Sequence, residues 1–530
     1  MSVKVCLANL QKDVFKGNAK VTETMNDMKK RMMIGSAALI AWSASAFEPI
    51  VLQAKDFSLA TGTPTLQMWQ KDAAVVPVWS LSGGQVGQSV AATTPPLPAD
   101  CRGVKIELLV VNNEKTANDT FTDVYRVDVA ELAPGAPVTT TNGKPVMNRL
   151  APKPWTPRWL EIESYVVVKG GAPLTLRVRR EPDDRSDTYD RPAGLVQVRV
   201  TPLPAPAPAF KVENRPGYNS WPMMQAIGGT LVCTYSRGTA HTIHEGIRDA
   251  YARTSSDGGR TWTPEICFAK DQGAGEVMIG KGTDLDGAAL FWVRCIGKPK
   301  SHHDLYRTKD GLTFEKISEP ALSPFPMQIT DVFHVDGKLM ALWFATRYRD
   351  GEDDNHWGTL VSADNGRTWT QTTIELVRQK AELPTEPCVV NLGNGRLLGL
   401  ARTENGGDSL ASQFQLTSLD NGVTWKKTRT NIRDVQASSP SLIYDKASGL
   451  VYNYYYERGR HVVKCRVAKA DDIFDHPFDW PVPQPVLIGD EKRPHDAGNV
   501  NAVEMNGRHY LTYYSGTDKD TTVYVAPGLR

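Results

Sequence analysis

The sequence lacks most of the features by which a chain declares its chemistry. Its 530 residues hold only seven cysteines, at positions 6, 101, 233, 267, 295, 388 and 465, with no Cys-x-x-Cys. An odd set without that spacing argues against a disulfide framework and against a zinc site, so neither metal nor cofactor is expected. Several cysteines sit in apolar runs ("TLVCTY", "LFWVRC", "EPCVV"), where a free thiol behaves as a small hydrophobe. Reduced thiols fit folding in the cytosol. An excess of one charge is also missing, with 61 basic against 59 acidic residues. That balance removes the electrostatic case for nucleic acid as a partner. No phosphate loop, metal triad or His-Glu-x-x-His occurs. The apolar stretch 32–46 is too short for a membrane span, which needs about 20 residues.

That stretch belongs to "MKKRMMIGSAALIAWSASAFEP" (28–49), which has the basic start and small-residue site of a signal peptide. It follows 27 polar residues, however, so residues 1–46 are read as a largely helical segment. A true start at Met28 is the alternative and would send the protein to the periplasm or outside the cell.

What the chain does contain is turn-rich and aromatic: 35 Pro, 43 Gly, 13 Trp and 17 Tyr. This composition leans toward β structure. From 47 to 200, short alternating runs such as "VKIELLVVN", "VYRVDVAEL" and "LVQVRVTPL" predict an antiparallel β-sandwich domain. "TPLPAPAPAF" (201–210) then reads as a stiff linker. After it, "SSDGGRTW" (255–262) returns as "SADNGRTW" (362–369) and "SLDNGVTW" (418–425). A shortened copy, "TKDGLTF", carries Asp310, and an eroded one lies in "AKADDIFDHPFDW" (468–480). Successive acids are 53, 54 and 56 residues apart, and strand-like runs precede each copy. Repetition at this period predicts six units over 211–530, each a four-stranded blade around a common axis. Asp with Asn or Gly suits a tight turn, whose amides the carboxylate can bind while the Trp packs beneath.

The motif S-x-D-x-G-x-T-W in a six-bladed β-propeller resembles the Asp box of the sialidase superfamily, and the resemblance covers 211–530. It implies a mainly β protein that recognises an acidic, sialic-acid-like glycan. An arginine triad would clamp the sugar carboxylate, because planar guanidinium forks match it. A Glu would assist a Tyr nucleophile and an Asp would serve as acid. "TEPCVVNLGNGRLLGLAR" is similar to the segment with the assisting Glu and second triad Arg, which maps to Glu386 and Arg402. "YERGRHVVKCRV" maps the third Arg to Arg460, with Arg458 as the fallback, and "TYSRG" places a substrate-facing Arg at Arg237. Departures accompany these matches. Ser220 in "NSWP" stands where the first Arg belongs, with Arg215 nearby. "HTIHEGIRD" offers Glu245 as the acid, with His244 or Asp249 as alternatives. In "RPHDAGNVNAVEMNG" no Tyr occurs, and His495 and Asp496 are the reactive groups at that place. Phage endosialidases are similar in keeping one Glu and two Arg without the Tyr. The resemblance therefore implies a glycan-binding protein of a phage tail or virion, with an active glycosidase or a structural virion protein as alternatives. Tail components or further copies of the chain are the expected partners. The catalytic candidates are Glu386, Glu245 and His495; the substrate-binding candidates are Arg402, Arg460 and Arg237. Trp221, Trp292, Trp343, Trp357 and Tyr454–Tyr456 are candidate sugar-stacking rings.

Overall fold

The alternating runs of the sequence become antiparallel strands from end to end in the computed structural model. It describes residues 47–530 except 63, 72–73, 82–88, 113–122, 132–139, 143–145, 149–156, 182–192, 206–207, 242–247, 271–274, 298–300, 347–354, 404–411, 433–434, 436–437, 459–461 and 489–495. The expected helical segment 1–46 lies outside the described residues.

The first part builds two six-stranded sheets. In one, Gly103–Asn112 lies between Arg158–Val167 and Ala193–Leu203; in the other, Leu174–Glu181 lies between Ser89–Thr93 and Asp123–Glu131. Alternate residues of both point into one core, with Ile106, Leu108, Val198 and Val200 from the first sheet and Val90, Val127, Leu176 and Val178 from the second. A period of two against a shared apolar layer fixes the register, because a one-residue slip would turn every valine outward.

Beyond residue 210 there are six further antiparallel sheets, five of four strands and one of five. The first contains Tyr218–Ile227, Thr230–Gly238, Asp249–Ser255 and Ile266–Ala269; the second Gly275–Thr283, Ala289–Ile296, His302–Thr308 and Glu315–Ser318. Gln328–Ile329 and Phe333–Val335 share the edge of the third, followed by Lys338–Ala345, Asn355–Ser362 and Thr370–Val377. The fourth is Pro384–Gly393, Arg396–Thr403, Phe414–Ser418 and Lys426–Arg429; the fifth is Ser441–Asp445, Leu450–Glu457, Val462–Lys469 and Gln484–Ile488. In the sixth, Asp496–Met505, Arg508–Gly516 and Thr521–Pro527 are completed by Phe210–Glu213 from the start of the region.

Neighbouring sheets touch through their first strands and through buried apolar side chains. Leu290 and Trp292 of the second sheet pack with Leu339 and Trp343 of the third. Hydrogen bonds join the first strands as well: Met224 N–H donates to Asn501 Oδ1 at 2.9 Å, and Ala502 N–H to Ser441 Oγ at 2.8 Å. Such bonds satisfy backbone groups at the inner edge of each sheet, where no further strand pairs. Buried Lys464 of the fifth sheet pairs with Glu457 of the same sheet at 2.7 Å and with Glu161 of the strand Arg158–Val167.

The repeated turns share one bond set. In 255–262, Asp257 accepts from the Thr261 amide at 3.0 Å and the Thr261 hydroxyl at 2.7 Å, while Gly259 N–H donates to Ser255 Oγ at 2.8 Å. The indole N–H of Trp262 donates to Gly259 O at 3.0 Å. The same contacts recur around Asp364 with Trp369 and around Asp420 with Trp425. The turn bends through positive φ at Gly258, Asn365 and Asn421 and again at the glycine that follows, which is why the pair reads Gly-Gly or Asn-Gly. The eroded copy has no glycine after its acids. There Ala470–Ile473 forms a helical turn, with Asp471 and Asp472 at its N-terminal end, a favourable place for negative charge.

Candidate functional site

A cleft is lined by Met223, Ile279, Gln328, Glu386 and Asn499 from the first strands of five sheets, and by Ser439 just before the first strand of the fifth sheet, with Thr330 just past Gln328–Ile329. It encloses about 370 Å³ of empty space, counting the part open to solvent. Asp331 and Cys388 also line it.

Three of these strands carry the same irregularity at the cleft. Pairing slips between Thr385 and Cys388, between Ser220 and Met223, and between Gly498 and Asn501. Glu386 (φ 48°), Trp221 (φ 50°) and Asn499 (φ 48°) take positive φ inside those bulges. A bulge with a left-handed residue re-aims a side chain that would otherwise stand on a sheet face.

Glu386 is held from three sides. Arg402 Nη1 donates to its Oε1 at 3.0 Å, the Ser439 hydroxyl donates to Oε2, and Arg458 adds positive charge. Burial pushes the Glu386 carboxyl up, but Arg402, the Ser439 bond and Arg458 together outweigh it. The net effect holds the group below its ordinary range. Glu386 is therefore a fixed anion at the pH of the cell. The Arg458 side chain lies along the Gly498 backbone, where an added Cβ would stand 3.1 Å from Nε; that Nε has no hydrogen-bond partner among the described residues.

The second carboxylate of the cleft behaves oppositely. Burial raises the Asp331 carboxyl, against the smaller pull of Lys281, whose ammonium lies 3.9 Å away and donates to Ala502 O at 2.7 Å. Burial also pushes the neighbouring Cys388 thiol up to about 12. The cleft thus holds two carboxyls whose environments push them apart, Glu386 downward and Asp331 upward.

Glu386 and Arg402 are brought together as a cross-strand pair, since Arg402 sits opposite Thr385 in the ladder. Of the two positions for the third arginine, Arg458 stands beside Glu386, while Arg460 lies outside the described residues. Glu245, His244 and His495 also lie outside them. Arg237 belongs to another cluster. Its guanidinium donates to both oxygens of Glu265 at 2.7 and 2.8 Å and lies 4.1 Å over the Tyr251 ring. Arg215 joins that cluster, bonding Glu213 at 2.8 Å and also reaching Glu265. Asp249 accepts from the Tyr251 hydroxyl at 3.2 Å. Trp292, Trp343, Trp357 and Tyr454–Tyr456 are fully buried and act as packing, unlike half-buried Trp221.

Two groups escaped the sequence reading. Asp331 lies in "QITDVF" between two short strands, with no local signal of its neighbours. Arg248 is buried, donates from Nη1 to Ser220 Oγ at 3.3 Å, and lies 4.5 Å over the Trp221 ring. A guanidinium thus reaches Ser220 from a different strand, and burial lowers its pKa to about 10. The rule that buried cations need anions would have flagged it, had burial been readable from sequence.

No family model and no curated protein matches the chain. Among solved structures it is similar to a protein of unknown function from Dyadobacter fermentans, at 18% identity and TM-score 0.46, over 60% of this chain and 99% of that one. It is also similar to the NanB sialidase of Streptococcus pneumoniae, at 12% identity and TM-score 0.48, over 85% of this chain and 98% of that one. The Trypanosoma rangeli sialidase gives 13% identity and TM-score 0.45, over 61% and 58%.

Proposed function

We propose that the six sheets are blades of a sialidase-like propeller whose axial cleft binds an acidic glycan. The observation that carries this reading is the Glu386 carboxylate held between Arg402 and Ser439 and beside Arg458, in a cleft lined from five first strands and the segment leading into the first strand of the fifth sheet. Glu386 orients the guanidinium of Arg402, and Arg458 adds a second positive charge beside it. The role of receptor binding on a phage tail or virion goes with this proposal and rests on the sequence resemblance. Replacing Arg402 with Ala should weaken binding of a carboxylated sugar by ~1.5–3 kcal/mol, the scale of a charge-assisted hydrogen bond. An unchanged signal on a glycan array would remove Arg402 from the site.

The opposed carboxyls of Asp331 and Glu386 favour a second reading, in which the cleft hydrolyses a glycoside. Asp331 would protonate the leaving oxygen and Glu386 would act as base or nucleophile. Products released from a sialoside panel or polysialic acid, and lost in Asp331→Asn with sugar binding retained, would establish it. Absence of turnover by the parent protein leaves binding alone.

A further inference from the structure

The second sheet carries a group of ligating side chains that the axial cleft does not use. Glu276, Cys295 and His302 are direct cross-strand partners on three adjacent strands, Glu276 opposite Cys295 and Cys295 opposite His302. Asp304 follows His302 by two residues, so it returns to the same sheet face. This register brings four different donor groups together at one end of the sheet. Cys295 Sγ lies 2.9 Å from Glu276 Oε2 and 3.7 Å from Asp304 Oδ2, and His302 Nε2 lies 3.7 Å from Asp304 Oδ1. The ligand atoms of Cys295, His302 and Asp304 all fall within 4.8 Å of one another.

We propose that Cys295, His302 and Asp304 form a binding site for a divalent ion of the zinc class, with Glu276 beside Cys295 as a further carboxylate. The donor set selects the metal: sulfur, imidazole nitrogen and carboxylate suit zinc, whereas calcium and magnesium prefer oxygen alone. A tetrahedral ion with bonds of about 2.0–2.3 Å spreads its ligand atoms about 3.3–3.8 Å apart. Two of the three pairs here lie at 3.7 Å, and rotation of the half-exposed His302 ring draws the third together.

Charge and burial point the same way. Glu276, Cys295 and Asp304 are buried, while the His302 side chain is 31% exposed and gives an ion a route in. Of the two buried carboxylates, Asp304 has Lys316 at 3.1 Å, but that ammonium is shared with Glu319 at 2.8 Å. A divalent cation bound by Asp304 and Cys295 would displace the thiol proton and leave Lys316 with Glu319. Bound there, the ion ties two neighbouring strands together.

Titrating the metal-free full chain with Co2+ tests the site. A sulfur-to-cobalt absorption band should grow in and saturate at about one ion per chain, as a single site requires. Cys295→Ser should abolish the band, while Cys267→Ser, at an exposed thiol, should leave it intact. His302→Gln, at a half-exposed position, decides the matter if Cys295→Ser does not fold. It should weaken Co2+ binding by more than the roughly 100-fold that loss of an outer hydrogen-bond partner can cost. The proposal is overturned if no band appears, if the band survives Cys295→Ser, or if His302→Gln binds like the parent.

Discussion

Two arginine–glutamate clusters in this molecule use the same residue types for different ends. Around Glu213, with its side chain 1% exposed, three guanidiniums converge: Arg215 at 2.8 Å, Arg253 at 2.9 Å and Arg237 at 3.7 Å. Glu265 takes a second share of Arg237 and Arg215, and the Tyr235 hydroxyl donates to both carboxylates. Around Glu386 there are two guanidiniums and one hydroxyl, and the carboxylate lines a cleft. The first cluster ties Phe210–Glu213, and through it the sixth sheet, to the first. The second stands at the cleft, where its carboxylate meets open space. Residue type sets the strength of an ion pair; its surroundings decide whether it closes a joint between sheets or lines a cleft.

Breaking the clasp should give the larger effect on stability. Glu213→Ala leaves Arg215, Arg237 and Arg253 short of a buried anion and should cost about 3–5 kcal/mol in urea unfolding, the range for removing one partner of a buried pair. Sugar binding by the folded fraction should persist. Next comes Arg402→Ala in the cleft, whose effect should fall on affinity in the range given above. Arg237→Ala sharpens the contrast: it should lower stability by about 1–3 kcal/mol and leave glycan affinity unchanged. A loss of affinity there would bring Arg237 back to the sugar.

The smallest effect should come from the repeated turns, and it should depend on pH. Hydroxyl and amide donors, chiefly those of Thr261 and Thr368, hold Asp257 and Asp364 at about 2, below the ordinary value of 3.8. A carboxyl whose folded pKa is depressed stabilises fully above the unfolded value and loses that contribution as pH falls through the folded one. Urea midpoints of Asp257→Asn and Asp364→Asn should therefore lie below the parent at about pH 5 and converge with it near pH 2. A constant difference across that window would show that the charge is not what the turn uses.

The turns were legible in the sequence because every bond in them spans four residues or fewer. The Glu386–Arg402 pair was legible for a similar reason. Pro384–Gly393 and Arg396–Thr403 are neighbouring strands joined by a tight turn, so 16 residues of chain fold back in register. Ser439 stands 53 residues from Glu386 on the next sheet, and Asp331 lies on the preceding one. No local pattern places either in the cleft. Arg237 meets Glu213 because the start of the region returns to pair with Thr521–Pro527, whereas Glu265 comes from the edge of Arg237's own sheet.

The sequence by itself determined the β character, the repeat and the turn that closes each clear copy, since alternation, glycine placement and short-range hydrogen bonding act within a few residues. The tertiary structure alone decided which carboxyl is held below its ordinary range and which is pushed above it, which arginines are tied up in a clasp, and which donors gather on the second sheet. Those outcomes depend on burial and on charges brought together from strands far apart in the chain, and electrostatic energy follows distance in space.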